Sequence, residues 1–183
     1  MTAVTTLPFG RPLVRADLDD MPDDGHRYEL IDGVLVVSPS PRPRHQDVVG
    51  ALYSALRPAC PAHLKVMLGP LDVVLADDTV LIPDVLVAPR EQFTDRELPG
   101  APLLSIEVLS PSTRRFDQLV KRERLEAAEV GAYWLVDPQE PSITVLELRD
   151  GRLVETARAA GDEVLEVTFP FAVRLVPNDL LDD

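Results

Sequence analysis

The sequence predicts a mixed α/β fold of the α+β kind, a mixed sheet with flanking helices, and three observations carry that prediction. Strand-like apolar runs dominate the 183-residue chain. One amphipathic helix precedes most of them, and a second interrupts them before a pair of hairpin-forming runs. Arg27-Tyr28-Glu29-Leu30-Ile31 and Val34-Leu35-Val36-Val37 flank Asp32-Gly33, a strong signal for a two-residue hairpin turn. Ser38 to Pro43 is a proline-rich break. From Arg44 to Leu56, Val48, Val49, Leu52 and Leu56 recur at helical spacing, and the helix is expected to stop at Pro58. Strands are expected at 64–68 and 71–76 around Gly69-Pro70, and again over Leu81–Val87, which carries Asp84. Residues 89–102 contain Pro89, Pro99, Gly100 and Pro102 among many charges and read as an exposed loop.

Leu103–Leu109 is the next strand and carries Glu107. Ser110-Pro111-Ser112-Thr113 supplies turn and N-cap chemistry for a helix from Arg114 to Val130, with Phe116, Leu119 or Val120, and Ala127 on its inner face. Strands at 132–136 and 142–148, a turn at Arg149-Asp150-Gly151-Arg152, and runs at 152–157 and 163–169 precede a short tail. Residues 1–25 lack periodicity and hold five aspartates between Asp17 and Asp24, so they are expected to form an N-terminal arm, extended or frayed, with room for a short helical turn. Residues 26–183 are read as a single domain, long enough to bury roughly 70% of the unfolded surface.

Composition limits the chemistry. Cys60 is the sole cysteine, and His26, His45 and His63 lack ligand spacing, which argues against a zinc centre and leaves oxygen donors and hard cations. No apolar run approaches the length of a membrane span, and Met1 to Arg15 has no signal-peptide core, so a soluble, cytoplasmic protein without membrane association is expected. The net charge of −13 disfavours non-specific coating of nucleic acid. Arg42 and Arg44 nevertheless form one basic cluster, and Arg114, Arg115, Lys121, Arg122 and Arg124 form another just after the Glu107 strand. On pattern alone, both read first as solvated surface.

Asp84 and Glu107 each sit among apolar β-formers, where a carboxylate is costly unless a metal, a cation or several donors compensate it. Two carboxylates fixed on neighbouring strands suit a divalent metal that activates water and shields phosphate charge. The same pattern also serves turns and salt bridges.

The ordered set of segments resembles the Uma-two family of endonucleases, within the PD-(D/E)XK restriction-endonuclease-like group. The matching segments are Tyr28 to Gly33, Ser38-Pro39-Ser40-Pro41 with His45, Pro83-Asp84-Val85, Glu107 to Thr113, Asp117 with Lys121, and Tyr133-Trp134-Leu135-Val136-Asp137. The resemblance implies a restriction-endonuclease-like αβββαβ core with extra β-hairpins, in which Asp84 and Glu107 bind Mg²⁺ or Mn²⁺. The general motif places its lysine two residues after the second acid, where this chain has Leu109; the family instead recruits one from the following helix, and Lys121 matches it. Glu29 takes the family's early acidic position, as a third catalytic carboxylate or a cross-strand partner. His45, Arg114 and Arg115 are candidates for substrate contact or support, with local hydrogen bonding the alternative for His45 and an Asp117 ion pair the alternative for Lys121. Leu125 stands where the family usually has tyrosine, and Glu129-Val130-Gly131-Ala132 replaces its usual Gly-Val-Pro-Glu, which affects substrate contacts more than metal ligands.

The function implied is metal-dependent hydrolysis of nucleic-acid phosphodiester bonds, with DNA the expected substrate. The alternatives are a non-catalytic binding or assembly module on the same fold, and a hydrolase of small phosphoesters. A homodimer is expected from the base rate of soluble oligomers and by analogy with related nucleases.

Overall fold

Two mixed sheets meet where Pro83 interrupts the run around Asp84. The computed structural model describes residue 8 and residues 10–111 and 114–181. The Ser112-Thr113 cap expected from sequence lies outside these residues. The strands are β1 (Arg27–Ile31), β2 (Val34–Ser38), β3 (Leu64–Leu68), β4 (Val73–Ala76), β5 (Thr79–Leu81), β6 (Val85–Pro89), β7 (Leu98–Pro99), β8 (Leu104–Val108), β9 (Ala132–Asp137), β10 (Ser142–Arg149), β11 (Arg152–Ala160), β12 (Leu165–Val167) and β13 (Val173–Leu175). Helix α1 spans Pro43–Ala59, and helix α2, Arg122–Ala127, continues directly from a π-helical segment, Phe116–Lys121.

The first sheet has the order β2-β1-β5-β4-β7 and the second β11-β10-β9-β8-β6-β3; β12 and β13 form a separate hairpin. Each large sheet has one parallel pair, β4 with β7 and β8 with β9. The Asp32-Gly33 hairpin forms as expected, with φ of 51° and 75° at its two central residues, which the twist of a tight hairpin requires.

The structure corrects four expectations. There are two large sheets rather than one, because the Leu81–Val87 run divides between β5 in the first and β6 in the second. Pro83 has no N–H for a ladder, and the Ile82 N–H goes instead to the Glu29 carboxylate at 2.8 Å, so pairing stops there. The presumed exposed loop at 89–102 contains β7, whose Leu98 is fully buried. Helix α1 runs on through Pro58 in its last turn. Around α2, the π-helical turn shifts the periodicity: Phe116 and Val120 pack on the core as expected and Asp117, Lys121 and Leu125 are buried, while Ala127 and the alternative Leu119 are exposed. The C-terminal tail also packs: Phe171, Leu175 and Leu180 join the main core.

Strand alternation divides the second sheet's side chains between two faces. Val85, Ile106, Trp134 and Val136 pack with Val48, Leu52 and Leu56 of α1. Tyr133, Leu135 and Leu146 pack on the opposite face with Ile31, Leu81 and Leu125. The chain before β1 adds to the first sheet: a 3₁₀ turn spans Arg15–Asp20, and Leu13 is buried with Leu30 and Val80. No helix among the described residues is long and apolar enough to cross a membrane.

Gly69 controls how the chain enters β6. Its N–H donates to the Asp84 carbonyl at 3.0 Å, and a Cβ built there would meet the Pro83 carbonyl oxygen at 2.6 Å. Gly69→Ala must therefore displace backbone beside Asp84, and a loss of about 1–3 kcal/mol in urea unfolding is expected. Wild-type stability in this variant would mean that the contact is loose.

Candidate active site

The register of the second sheet brings two acids together. In the β6–β8 pair Val85 faces Ile106, and one further antiparallel step sets Asp84 beside Glu107. Val85 and Ile106 point into the α1 core, so Asp84 and Glu107 point to the other face, towards the first sheet and α2. Glu29 comes from the middle of β1, and Lys121 arrives from the end of the π-helical turn. All four residues are at most 4% exposed.

Lys121 is the hub. Its Nζ donates to Glu107 Oε1 at 2.9 Å, lies 2.9 Å from Glu29 Oε1, and is 3.5 Å from Asp117 Oδ1. Glu29 Oε1 also accepts the Ile82 N–H, so this carboxylate ties the ammonium to the crossing between the sheets. Behind the turn, the fully buried Tyr133 donates its hydroxyl to the Asp117 carbonyl at 3.0 Å.

Asp84 has a separate set of partners. Arg27 Nη1 donates to its Oδ1 at 2.7 Å, and its Oδ2 accepts the Val108 N–H at 2.8 Å. His45 Nε2 lies 3.0 Å from the same Oδ2, while His45 Nδ1 is buried without a hydrogen-bond partner. A cleft of about 450 Å³ lined by Arg27, Ile82 and Asp84 opens beside this group.

The electrostatics follow from this geometry. Burial pushes the Asp84 carboxyl upward, but His45, Arg27 and the Val108 N–H outweigh it and hold it below its ordinary value. Burial pushes Glu107 well above the carboxylate range; Lys121 opposes this, and Asp84, Asp117 and Glu29 reinforce it. Burial also opposes charge on Lys121, but Glu107, Glu29 and Asp117 overcome it and hold the amine as ammonium. Four carboxylates thus share Lys121 and Arg27 as fixed cations, leaving surplus negative charge in a dry place.

That surplus, and an acid set made only of oxygen donors, fits a hard divalent cation. As the side chains stand, no three His, Cys, Asp or Glu groups among the described residues converge closely enough to hold one, because Arg27 and Lys121 occupy carboxylate oxygens. A cation would have to take those oxygens from them.

Of the residues singled out from sequence, Asp84, Glu107, Lys121, Glu29 and His45 come together here. Arg114 and Arg115 do not: Arg114 donates to Asp137 at 2.5 Å, and Arg115 is exposed. Sequence reasoning missed Arg27, and it treated Asp117 only as a local partner of Lys121. Arg27 lies two residues before Glu29 on β1 and so shares its face, a signal that alternation offers.

The fold and this buried site define a mixed α/β protein with a carboxylate–lysine cluster between its two large sheets, and comparison with known proteins gives the family. The Uma2 family profile, described as "Putative restriction endonuclease", matches residues 15–177, and the chain belongs to that family. Among solved structures, the chain is similar to a "putative nuclease belonging to DUF820" from Anabaena variabilis ATCC 29413. The TM-score is 0.69 at 20% identity, over 92% of this chain and 97% of the other, which establishes likeness of fold. No curated protein matches.

Two substitutions test the charge balance. Lys121→Met leaves three buried acids without their ammonium and is expected to cost about 3–5 kcal/mol at pH 7, on the order of 10 °C in Tm. A loss below about 1 kcal/mol would mean that Lys121 is solvated. Glu107→Gln has the opposite sign. A raised folded-state pKa means that Glu107 contributes stability below its ordinary value of 4.5 and loses it as pH rises through the raised value, so the variant's Tm should gain on wild type as pH rises above 4.5. A gain on acidification instead would contradict the surplus of negative charge.

Proposed function

We propose that this chain is a metal-dependent endonuclease that hydrolyses phosphodiester bonds of nucleic acid, DNA being the expected substrate. In this reading residues 26–183 form one restriction-endonuclease-like domain, an αβββαβ core with added hairpins. The observation that carries it is the convergence of Glu29, Asp84 and Glu107 on a buried, surplus-negative site whose ammonium is Lys121. Membership of the Uma2 family supports the same chemistry.

Asp84 and Glu107 would hold Mg²⁺ or Mn²⁺. Bound there, the cation supplies Lewis-acid polarisation of the phosphate and a lowered pKa for attacking water. The chain's own groups do the rest. Arg27, His45 and the Val108 N–H fix the Asp84 carboxylate from three directions. Lys121, held by Glu29 and Asp117, keeps a positive charge beside Glu107, where it can donate to a non-bridging phosphate oxygen or orient water. The buried walls keep competing solvent low, so each of these charges acts more strongly than it would in water.

A second reading is favoured by one observation. Arg27 and Lys121 already satisfy the acids, as they would in a non-catalytic assembly module that retains the nuclease fold.

Cleavage separates the two readings. With supercoiled plasmid and labelled oligonucleotides in millimolar Mn²⁺ or Mg²⁺, wild type is expected to cleave, and Asp84→Asn to lose at least about 100-fold in rate, as when a charge-stabilising group is removed. Because Asp84 is paired, the variant should also lose about 1–3 kcal/mol of stability. Equal cleavage by Asp84→Asn would remove Asp84 from the mechanism, and no cleavage by wild type would favour the assembly module. Turnover of mononucleotide esters alone would indicate a small-phosphoester hydrolase.

A further inference from the structure

A second cleft, of about 510 Å³, is lined by Arg27 and His45, the two side chains that also contact Asp84. Its charge is opposite to that of the chain: Arg27, Arg42, Arg44 and His45 line it, and none of its described lining residues is acidic, on a protein of net charge −13. Ser38, Ser40 and Gln139 add neutral hydrogen-bonding groups. Arg42 and Pro43 begin the 17-residue helix α1, whose N-terminus has no side-chain cap, so the positive end of the helix dipole lies at the same place. Within the first turn of α1, the His45 side chain is nine-tenths buried and has an Nδ1 with no hydrogen-bond partner, an observation separate from the dipole. Arg27 Nε is likewise buried and unpartnered. Unsatisfied polar groups of this kind are costly to bury and point to a ligand that completes them.

We propose that this cleft is an anion subsite for a phosphate ester, with exposed Arg42 and Arg44 at its mouth and the largely buried His45 and Arg27 at its floor. The volume admits a phosphate together with its sugar. Arg27 lines both clefts, and Arg27 and His45 both contact Asp84, so a phosphate here lies next to the Asp84 site. That the phosphate belongs to a nucleic-acid strand rests on the endonuclease reading; that the cleft binds phosphate does not.

The test reads binding without turnover. Anisotropy of a fluorescein-labelled oligonucleotide is measured in EDTA over a range of salt, with inorganic phosphate and a mononucleotide as competitors. Arg42→Ala/Arg44→Ala touches only exposed side chains and should melt like wild type. It is expected to weaken binding at least about tenfold and to flatten the dependence of log K on log salt by roughly 1.5, the release of counterions from two phosphates. Arg149→Ala/Arg152→Ala is the control: it lies at the end of β10 remote from Gln139, about 23 Å along the strand from Ser142 at ~3.3 Å per residue, and should leave affinity within about twofold.

Unchanged affinity and slope in the Arg42/Arg44 variant would overturn the subsite. So would an equal loss in the control pair, or a wild type that binds no phosphate species. Competition by inorganic phosphate or mononucleotide, lost in the variant, supports the subsite with a small phosphoester as its source; displacement only by oligonucleotide assigns it to a strand. A wild type that binds through Arg42 and Arg44 but never cleaves refutes the endonuclease reading alone. Cleavage that persists while the variant binds normally refutes the subsite alone.

Discussion

One buried ammonium has to be satisfied, and much of the structure is arranged around it. Lys121 reaches Glu29 on the first sheet and Glu107 on the second, so three elements distant in sequence must meet within hydrogen-bond distance of one nitrogen. Such a cluster is a poor source of net stability, because desolvating the charges costs about as much as their attraction returns. A packed apolar core would hold the same sheets together equally well. On the proposed endonuclease reading, the cluster is chemistry held in place by the fold. Its position depends on the π-helical turn, since an uninterrupted α-helix over the same residues would present a different face to the sheet.

Asp84 depends on a different constraint. Pro83 ends the ladder of the first sheet, Gly69 permits close backbone approach, and β6 then begins in the second sheet with Asp84 just outside its hydrogen-bonded run. That leaves the Asp84 oxygens available to Arg27, His45 and a backbone N–H from β8. Asp84 is thereby held ionised, while Glu107, beside it across the β6–β8 pair, is pushed towards its protonated form. Two acids with divergent environments are a common mark of sites where charge is managed for a reaction. The arginine-lined cleft shares Arg27 with this negative site and places positive charge next to it, and on the proposed reading that is how an acidic protein draws an anionic strand locally.

Much of this was legible in the sequence. The hairpin at Asp32-Gly33, helix α1, and the strands that carry Glu107 and Trp134 follow from alternation and turn chemistry acting locally. The meeting of Glu29, Asp84, Glu107 and Lys121 was legible only through family resemblance, because no local rule brings residues 29 and 121 together. What was missed depended on long-range packing. Leu98 is buried by pairing with β4, which a loop rich in proline and charge does not advertise. Of the inner face expected on a 3.6-residue period, Phe116 and Val120 pack on the core, whereas Ala127 and the alternative Leu119 are exposed because the π-helical turn breaks that period. Alternation puts Arg27 on the face of Glu29, but no local rule shows that its partner is an acid 57 residues later.

The central claim is that the surplus negative charge around Asp84 and Glu107 is there to be met by a divalent cation. The most direct measurement is thermal unfolding of wild type and of Asp84→Asn/Glu107→Gln, with and without millimolar Mn²⁺ or Mg²⁺. At about ten times its Kd, bound metal adds roughly 1.4 kcal/mol, a rise of a few degrees for a chain of this size. The account predicts that rise in wild type and its loss in the double variant. The same shift in both proteins, or none in wild type, would contradict it.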